Sequence, residues 1–128
     1  MKLDTHARYR ESHEWIRPEG DYFVVGISDH AQHSLGDIVF VDLPRIGAHF
    51  PAQASFGVVE SVKAASDVYL PLEGTIIRVN EGLADHPEWI NRDCYGEGWL
   101  VQLKADNPDA WDGLLSPEAY ETLVGTEE

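Results

Sequence analysis

A primary amine that can be acylated stands at Lys63, inside Phe56-Gly-Val-Val-Glu-Ser-Val-Lys63-Ala-Ala-Ser-Asp-Val-Tyr69. The chain has only three lysines, Lys2, Lys63 and Lys104, and places this one between Val62 and Ala64. The flanking runs Phe56–Val62 and Val68–Leu70 are short and β-branched, and Ala64, Ala65 and Ser66 between them are small enough to turn a chain. The spacing predicts a tight hairpin with Lys63 at its tip, held out from the body of the fold. A long prosthetic group that must visit several active sites belongs at such a place. A plain surface lysine that keeps a loop soluble fits the same position and flanks, and those features alone leave both readings open.

Other groups with chemical potential are weaker. His30 and His33 are three apart on an expected helix, but no third ligand stands at a recognisable spacing, and no metal site is expected. Cys94 is the sole cysteine. It has no partner for a disulfide and no fixed histidine to activate it, which fits a reducing compartment and gives a nucleophile role no support. Gly96-Glu-Gly98 lacks the lysine and the spacing of a phosphate loop. The formal charge of −14, from 9 basic and 23 acidic residues, leaves no basic cluster for phosphate, so nucleic acid is excluded as an expected partner. The same charge suits basic-rimmed protein partners.

The elements that must position Lys63 read mostly as strands. Tyr22–Ile27 is β-rich. Ser28 is placed as the N-cap of a short helix over Asp29–Leu35, with Gly36 just beyond its end. Ile38–Leu43 is a strand stopped by Pro44, and a turn over Pro71–Gly74 leads into Thr75–Val79. Trp99–Leu103 is a late strand, and Trp99 is expected in the core. Two short helices close the chain. One starts near Pro108 after Asn107, and the other has Ser116 as cap with Pro117 at its first position. Gly57 and Gly74 are expected to set backbone shape. One domain over residues 1–128 is expected from the length and the absence of a linker. No apolar run is long enough to span a membrane, and Met1–His6 has neither signal nor transit character, so a cytoplasmic, bacterial-type location is expected.

The chain resembles the H protein of the glycine cleavage system. The likeness is carried by Ser12-His-Glu-Trp15, Val25-Gly-Ile-Ser-Asp-His-Ala31 and Leu35-Gly-Asp-Ile-Val-Phe-Val-Asp-Leu-Pro44. It continues through Val59-Glu-Ser-Val-Lys-Ala64, Ser66-Asp-Val68, Ile90-Asn91 and Tyr95-Gly-Glu-Gly-Trp-Leu100. Order and spacing hold from about residue 9 to residue 124. Glu-Ser-Val-Lys-Ala differs from the Asp-Lys-Ala usual in general lipoyl domains and from the Met-Lys-Met of biotin carriers. The chain departs from the family at Cys94, where proline is usual, and at Trp89, where leucine is common.

The resemblance implies a mainly β fold: a flattened barrel-sandwich of two small antiparallel sheets with short peripheral and C-terminal helices. It implies a non-catalytic, monomeric carrier with lipoate in amide linkage on Lys63, and Glu60 as a residue read by the lipoate-attaching ligase or transferase. Glu60 could equally be a charge that discourages edge pairing. The implied partners are glycine decarboxylase, the folate-dependent aminomethyltransferase and dihydrolipoamide dehydrogenase. The implied cargo is an aminomethyl group, cationic near neutral pH and prone to lose its nitrogen to water. A sheltering cleft should then offer hydroxyls and carboxylates, and the positions the resemblance assigns to it are Ser12, Glu14 and Asp67. Local roles compete with each: a backbone cap for Ser12, a solvated strand site for Glu14, and turn chemistry for Asp67. Two other functions fit the motif or the fold. One is a lipoyl relay serving other enzymes, and the other is an unmodified acidic interaction module.

Overall fold

A computed structural model gives the structure, which describes residues 1–127. In chain order the strands and helices are β1 (Arg8–Tyr9), β2 (Glu14–Glu19), β3 (Tyr22–Ile27), α1 (Asp29–Leu35), β4 (Ile38–Asp42), β5 (His49–Phe50), β6 (Ser55–Ser61), β7 (Ala65–Tyr69) and β8 (Gly74–Val79). They continue as α2 (Trp89–Arg92), β9 (Val101–Ala105) and α3 (Pro117–Glu127), with 3-10 turns at Glu81–Ala84 and Pro108–Gly113. The strands form two antiparallel sheets, one ordered β1-β2-β3-β9-β8-β5 and one ordered β4-β6-β7.

The two sheets face each other across one apolar core. Ile16, Val25, Ile27, Ile76, Val101 and Leu103 come from the larger sheet, and Ile38, Val59 and Val68 from the smaller. Alternation drives this packing. Along β7, Val68 is buried while its neighbours Asp67 and Tyr69 are exposed, as period-2 geometry requires. A second cluster lies under α3, where Tyr9, Trp15, Val24, Tyr120 and Val124 pack together. This arrangement is the expected flattened barrel-sandwich.

Local expectations hold in several places. β3 and α1 have the expected bounds, and Ser28 Oγ accepts the Ala31 amide at 3.1 Å as the cap of α1. Gly36 ends that helix at φ +81°, in the left-handed region that favours glycine. Ser116 Oγ accepts the Ala119 amide at 3.1 Å at the start of α3. Gly57 and Gly74 are required by space. A Cβ would stand 2.5 Å from the Asp42 carbonyl oxygen at Gly57 and 2.4 Å from the Lys104 carbonyl oxygen at Gly74.

Other expectations need correction. Trp99 is half-buried at the rim of the second cluster; the tryptophan of the core is Trp15, at 0 % exposure. The late strand begins at Val101, because the Asn80 side chain takes the Glu97 and Trp99 carbonyls at 2.7 and 2.8 Å and holds that stretch as a loop. The short helix expected after Asn107 does start at Pro108, and it is of the 3-10 kind over Pro108–Gly113. Asn107 supplies no side-chain cap, and the Trp111 indole anchors the turn by donating to the Ile16 carbonyl at 3.0 Å.

Candidate functional site

Lys63 lies in the three-residue turn Val62–Ala64 between β6 and β7, exposed to solvent. The turn is shorter than the sequence suggests, since Ala65 and Ser66 belong to β7. Ser61 makes it possible. Its hydroxyl accepts the amides of Lys63 at 3.3 Å and Ala64 at 3.1 Å and donates to the Ala64 carbonyl at 3.1 Å, while the Ser61 amide also reaches the Ala64 carbonyl at 2.7 Å. A short hydroxyl side chain thus replaces ladder bonds that a tight turn cannot make. The Val62 amide donates to the Asp37 carbonyl at 3.0 Å, which fastens the tip to the start of β4. The Lys63 stem lies over Gly36, where a Cβ would stand 3.7 Å from Lys63 Cε. Its ammonium makes no hydrogen bond or ion pair with a described residue.

Glu60 stands three residues before Lys63, half-buried on β6 and opposite Phe40 on β4 and Ala65 on β7. β6 is the middle strand of its sheet, so a charge there protects no open edge.

Ser12 and Glu14 meet directly. The Ser12 hydroxyl donates to Glu14 Oε1, and the Tyr69 backbone amide donates to Oε2 at 3.0 Å. Glu14 is 1 % exposed. Burial pushes its carboxyl above the ordinary glutamate value, with the Ser12 hydroxyl and the Tyr69 amide opposing the shift. It is therefore not a solvated strand residue.

Asp67 stands apart from this pair. It lies on the outer face of β7 in register with Val58, and accepts the Ser55 hydroxyl at 3.1 Å. It shares that face with Tyr69, two residues on.

Two clefts flank Ser12. One of about 320 Å³ is lined by Arg10, Glu11, Ser12, Gln53 and Tyr69. The other, about 330 Å³, is lined by Ser12, His13, His30, Ala31, Ser34, Leu35 and Ser66. The second opens beside the Lys63 stem, because Leu35 adjoins Gly36 and Ser66 lies on the lysine hairpin. An amine-borne arm fits the arrangement: an exposed terminal amine, a cleft that reaches the lysine hairpin at Ser66, and behind the cleft-lining Ser12 hydroxyl the buried Glu14 carboxyl that accepts from it. His13, in the turn before β2, and His30, Ala31, Ser34 and Leu35, on α1, are wall residues to which the sequence assigned no role in the cleft; for those on α1 the helical period was the only signal. His30 stands beside His13, ring centroids 4.8 Å apart, and among the described residues no set of three metal-ligating groups gathers around His30 and His33. His49, Glu73 and Asp106 do converge, with ligand atoms within 4.8 Å of one another, but all three are exposed at the far edge of the larger sheet. Cys94 is buried, and burial pushes its thiol up to about 12, which leaves it inert.

The glycine cleavage H-protein family model matches residues 7–127. The chain belongs to that family. It is 56 % identical over 126 residues to the glycine cleavage system H protein of Pseudoalteromonas atlantica, covering 98 % of each chain. It is 52 % identical over 127 residues to that of Chromohalobacter salexigens, covering 98 % of this chain and 97 % of the relative. A solved structure of a glycine cleavage system H protein from Mycobacterium marinum superposes with a TM-score of 0.87 at 36 % identity, over 96 % of this chain and 99 % of that one. The H-protein family fold thus accounts for both sheets and for the hairpin. Among the described residues no helix is long and apolar enough to cross a membrane.

Proposed function

We propose that this chain is the lipoyl carrier of a glycine cleavage system, working as one domain over residues 1–128 with lipoate in amide linkage on Lys63 Nζ. The observation that carries the proposal is the exposed Lys63 at the tip of a serine-closed turn, in Glu-Ser-Val-Lys-Ala, beside a cleft lined by Ser12, whose hydroxyl donates to the buried Glu14. When bound, the lipoyl group supplies sulfurs that accept the aminomethyl unit of glycine, release it, and are reoxidised. The chain's own residues position that chemistry and break no bonds themselves. Four enzyme classes would meet the same hairpin: the glycine decarboxylase, the aminomethyltransferase, the dihydrolipoamide dehydrogenase and the lipoate-attaching ligase or transferase. Glu60 offers the last of these a fixed charge near the target lysine.

Glu14 and Ser12 divide the sheltering work. A carboxyl raised by burial is held in check until a cation arrives; an ammonium in the cleft supplies the counter-charge and favours the carboxylate. Ser12 and the Tyr69 amide hold both oxygens in place for it. Asp67, reached from the Tyr69 side, adds a solvent-screened charge at the rim. Tethering to Lys63 keeps the arm at high effective concentration near this cleft and near any docked partner.

The test replaces Lys63 with arginine, which keeps the positive charge and loses the acylatable amine. The variant should fold, accept no lipoate, and support no glycine–bicarbonate exchange with purified decarboxylase. Full exchange activity from Lys63→Arg would overturn the proposal.

A further inference from the structure

We propose that Tyr120, on the C-terminal helix, is a positioning residue for the cleft beside Lys63: its one buried hydroxyl ties the two walls of the cleft together. The role in shelter rests on the carrier reading above.

Tyr120 is 0 % exposed and stacks flat on Tyr9, with ring centroids 4.4 Å apart and planes 6° off parallel. Its hydroxyl stands 2.7 Å from Ser28 Oγ and 2.7 Å from His13 Nδ1. These partners belong to opposite walls. Ser28 caps α1, which contributes His30, Ala31, Ser34 and Leu35 to the cleft. His13 sits between Ser12 and Glu14 and lines the cleft itself. The Ser28 amide also donates to the His13 carbonyl at 2.9 Å, so the hydroxyl closes a ring of contacts across the junction.

Proton accounting gives the chain a direction. Ser28 Oγ is buried and already accepts the Ala31 amide, so its own proton needs an acceptor. The Tyr120 oxygen is within reach to accept it, and the Tyr120 hydroxyl in turn donates to His13 Nδ1. Every group in the chain is satisfied in that order. His13 also needs holding, because at φ +79° it occupies the left-handed region that non-glycine residues avoid. Its backbone N–H donates to the Arg10 carbonyl at 2.9 Å, and its ring is held by Tyr120. Removing the hydroxyl leaves a buried serine proton without an acceptor and frees the turn that aims Ser12 and Glu14.

The experiment compares Tyr120→Phe, which keeps the stacked ring, with Tyr9→Phe. The latter removes another phenol hydroxyl, bonded to Asp4 at 2.8 and 2.9 Å and not to a cleft wall. Amide exchange on the unlipoylated protein comes first. Tyr120→Phe should speed exchange in both Ser12–Glu14 and the first turn of α1, and Tyr9→Phe in neither. Unchanged exchange in either wall overturns the proposal whatever the carrier chemistry shows. Ammonia release from the isolated, aminomethyl-loaded protein comes second. It should rise about two- to ten-fold in Tyr120→Phe, the worth of one ordinary hydrogen bond. Little further rise should occur when Glu14→Ala is already present. An equal rise in both backgrounds would show general loosening and overturn the positioning role. If Glu14→Ala alone leaves release unchanged while exchange responds in both walls, the shelter reading falls and the structural tie stands.

Discussion

The Tyr69 backbone amide donates to Glu14 Oε2 at 3.0 Å, joining the first residue of β2 in the larger sheet to the last residue of β7. One carboxyl therefore fixes the relation between the cleft wall and the strand that leaves the Lys63 turn. Its second oxygen is held by Ser12. A group so placed is both a structural link and the candidate counter-charge for a cationic cargo.

Glu14→Ala should speed ammonia loss from the loaded, isolated protein by roughly five- to a hundred-fold, the range for a charge-assisted bond sheltered from water. Asp67→Ala should change it by no more than about five-fold, since an exposed charge is screened. The assay loads the protein enzymatically, removes the decarboxylase and follows ammonia with time. A larger effect at Asp67 than at Glu14 would reverse the assignment.

Protection should also depend on pH. Burial raises the Glu14 carboxyl, so it stays protonated to a higher pH than an ordinary glutamate. A neutral carboxyl cannot pair with an ammonium, so protection should weaken as pH falls through this raised value. Glu14→Gln should remove the pH dependence. Ammonia release measured from pH 4 to pH 8 checks it.

The same shift has a stability consequence of definite sign. A carboxyl whose folded value lies above its unfolded value contributes stability that is complete below the unfolded value and is lost as pH rises through the folded one. Glu14→Gln keeps an oxygen for the Tyr69 amide and never ionises. Its stability relative to the parent should therefore increase from acid to neutral pH in denaturant melts of the unlipoylated protein.

Core and tip should differ sharply. Trp15 is fully buried, and its indole donates to the Cys94 carbonyl at 3.1 Å; Trp15→Ala should cost about 3–5 kcal/mol. Trp99→Ala should cost less, because that ring is half-buried. Lys63→Ala should stay within about 0.5 kcal/mol, as exposed substitutions do. Urea melts of the three variants give the order.

Much of the fold was legible because its signals are local. Ser28 and Gly36 bracket α1 through cap chemistry, and the β-branched runs around Lys63 give a hairpin by alternation alone. The missed pieces depend on distant partners. Strand β2 carries Pro18 and three charged residues (Glu14, Arg17, Glu19), and it is a strand because Ile16 and Trp15 are drawn into two separate clusters. Strand β5 is two residues long, too short for any period, and exists through its pairing with β8. Trp99 was assigned to the core by residue type, whereas Trp15 occupies it; Gly26 leaves the room, since a Cβ there would lie 2.7 Å from the Trp15 ring. The Lys63 turn was legible from its small neighbours. The burial of Glu14 was not, since nothing near Ser12-His-Glu-Trp15 announces a strand amide 55 residues away.

Covalent attachment is the premise of everything assigned to the cleft, and peptide mapping by mass spectrometry of the protein purified from its native cell tests it most directly. A single lipoyl group is expected, on the peptide that contains Lys63 and absent from those with Lys2 and Lys104. An unmodified Lys63 in cells that are actively cleaving glycine, or lipoate on either of the other lysines, would contradict it.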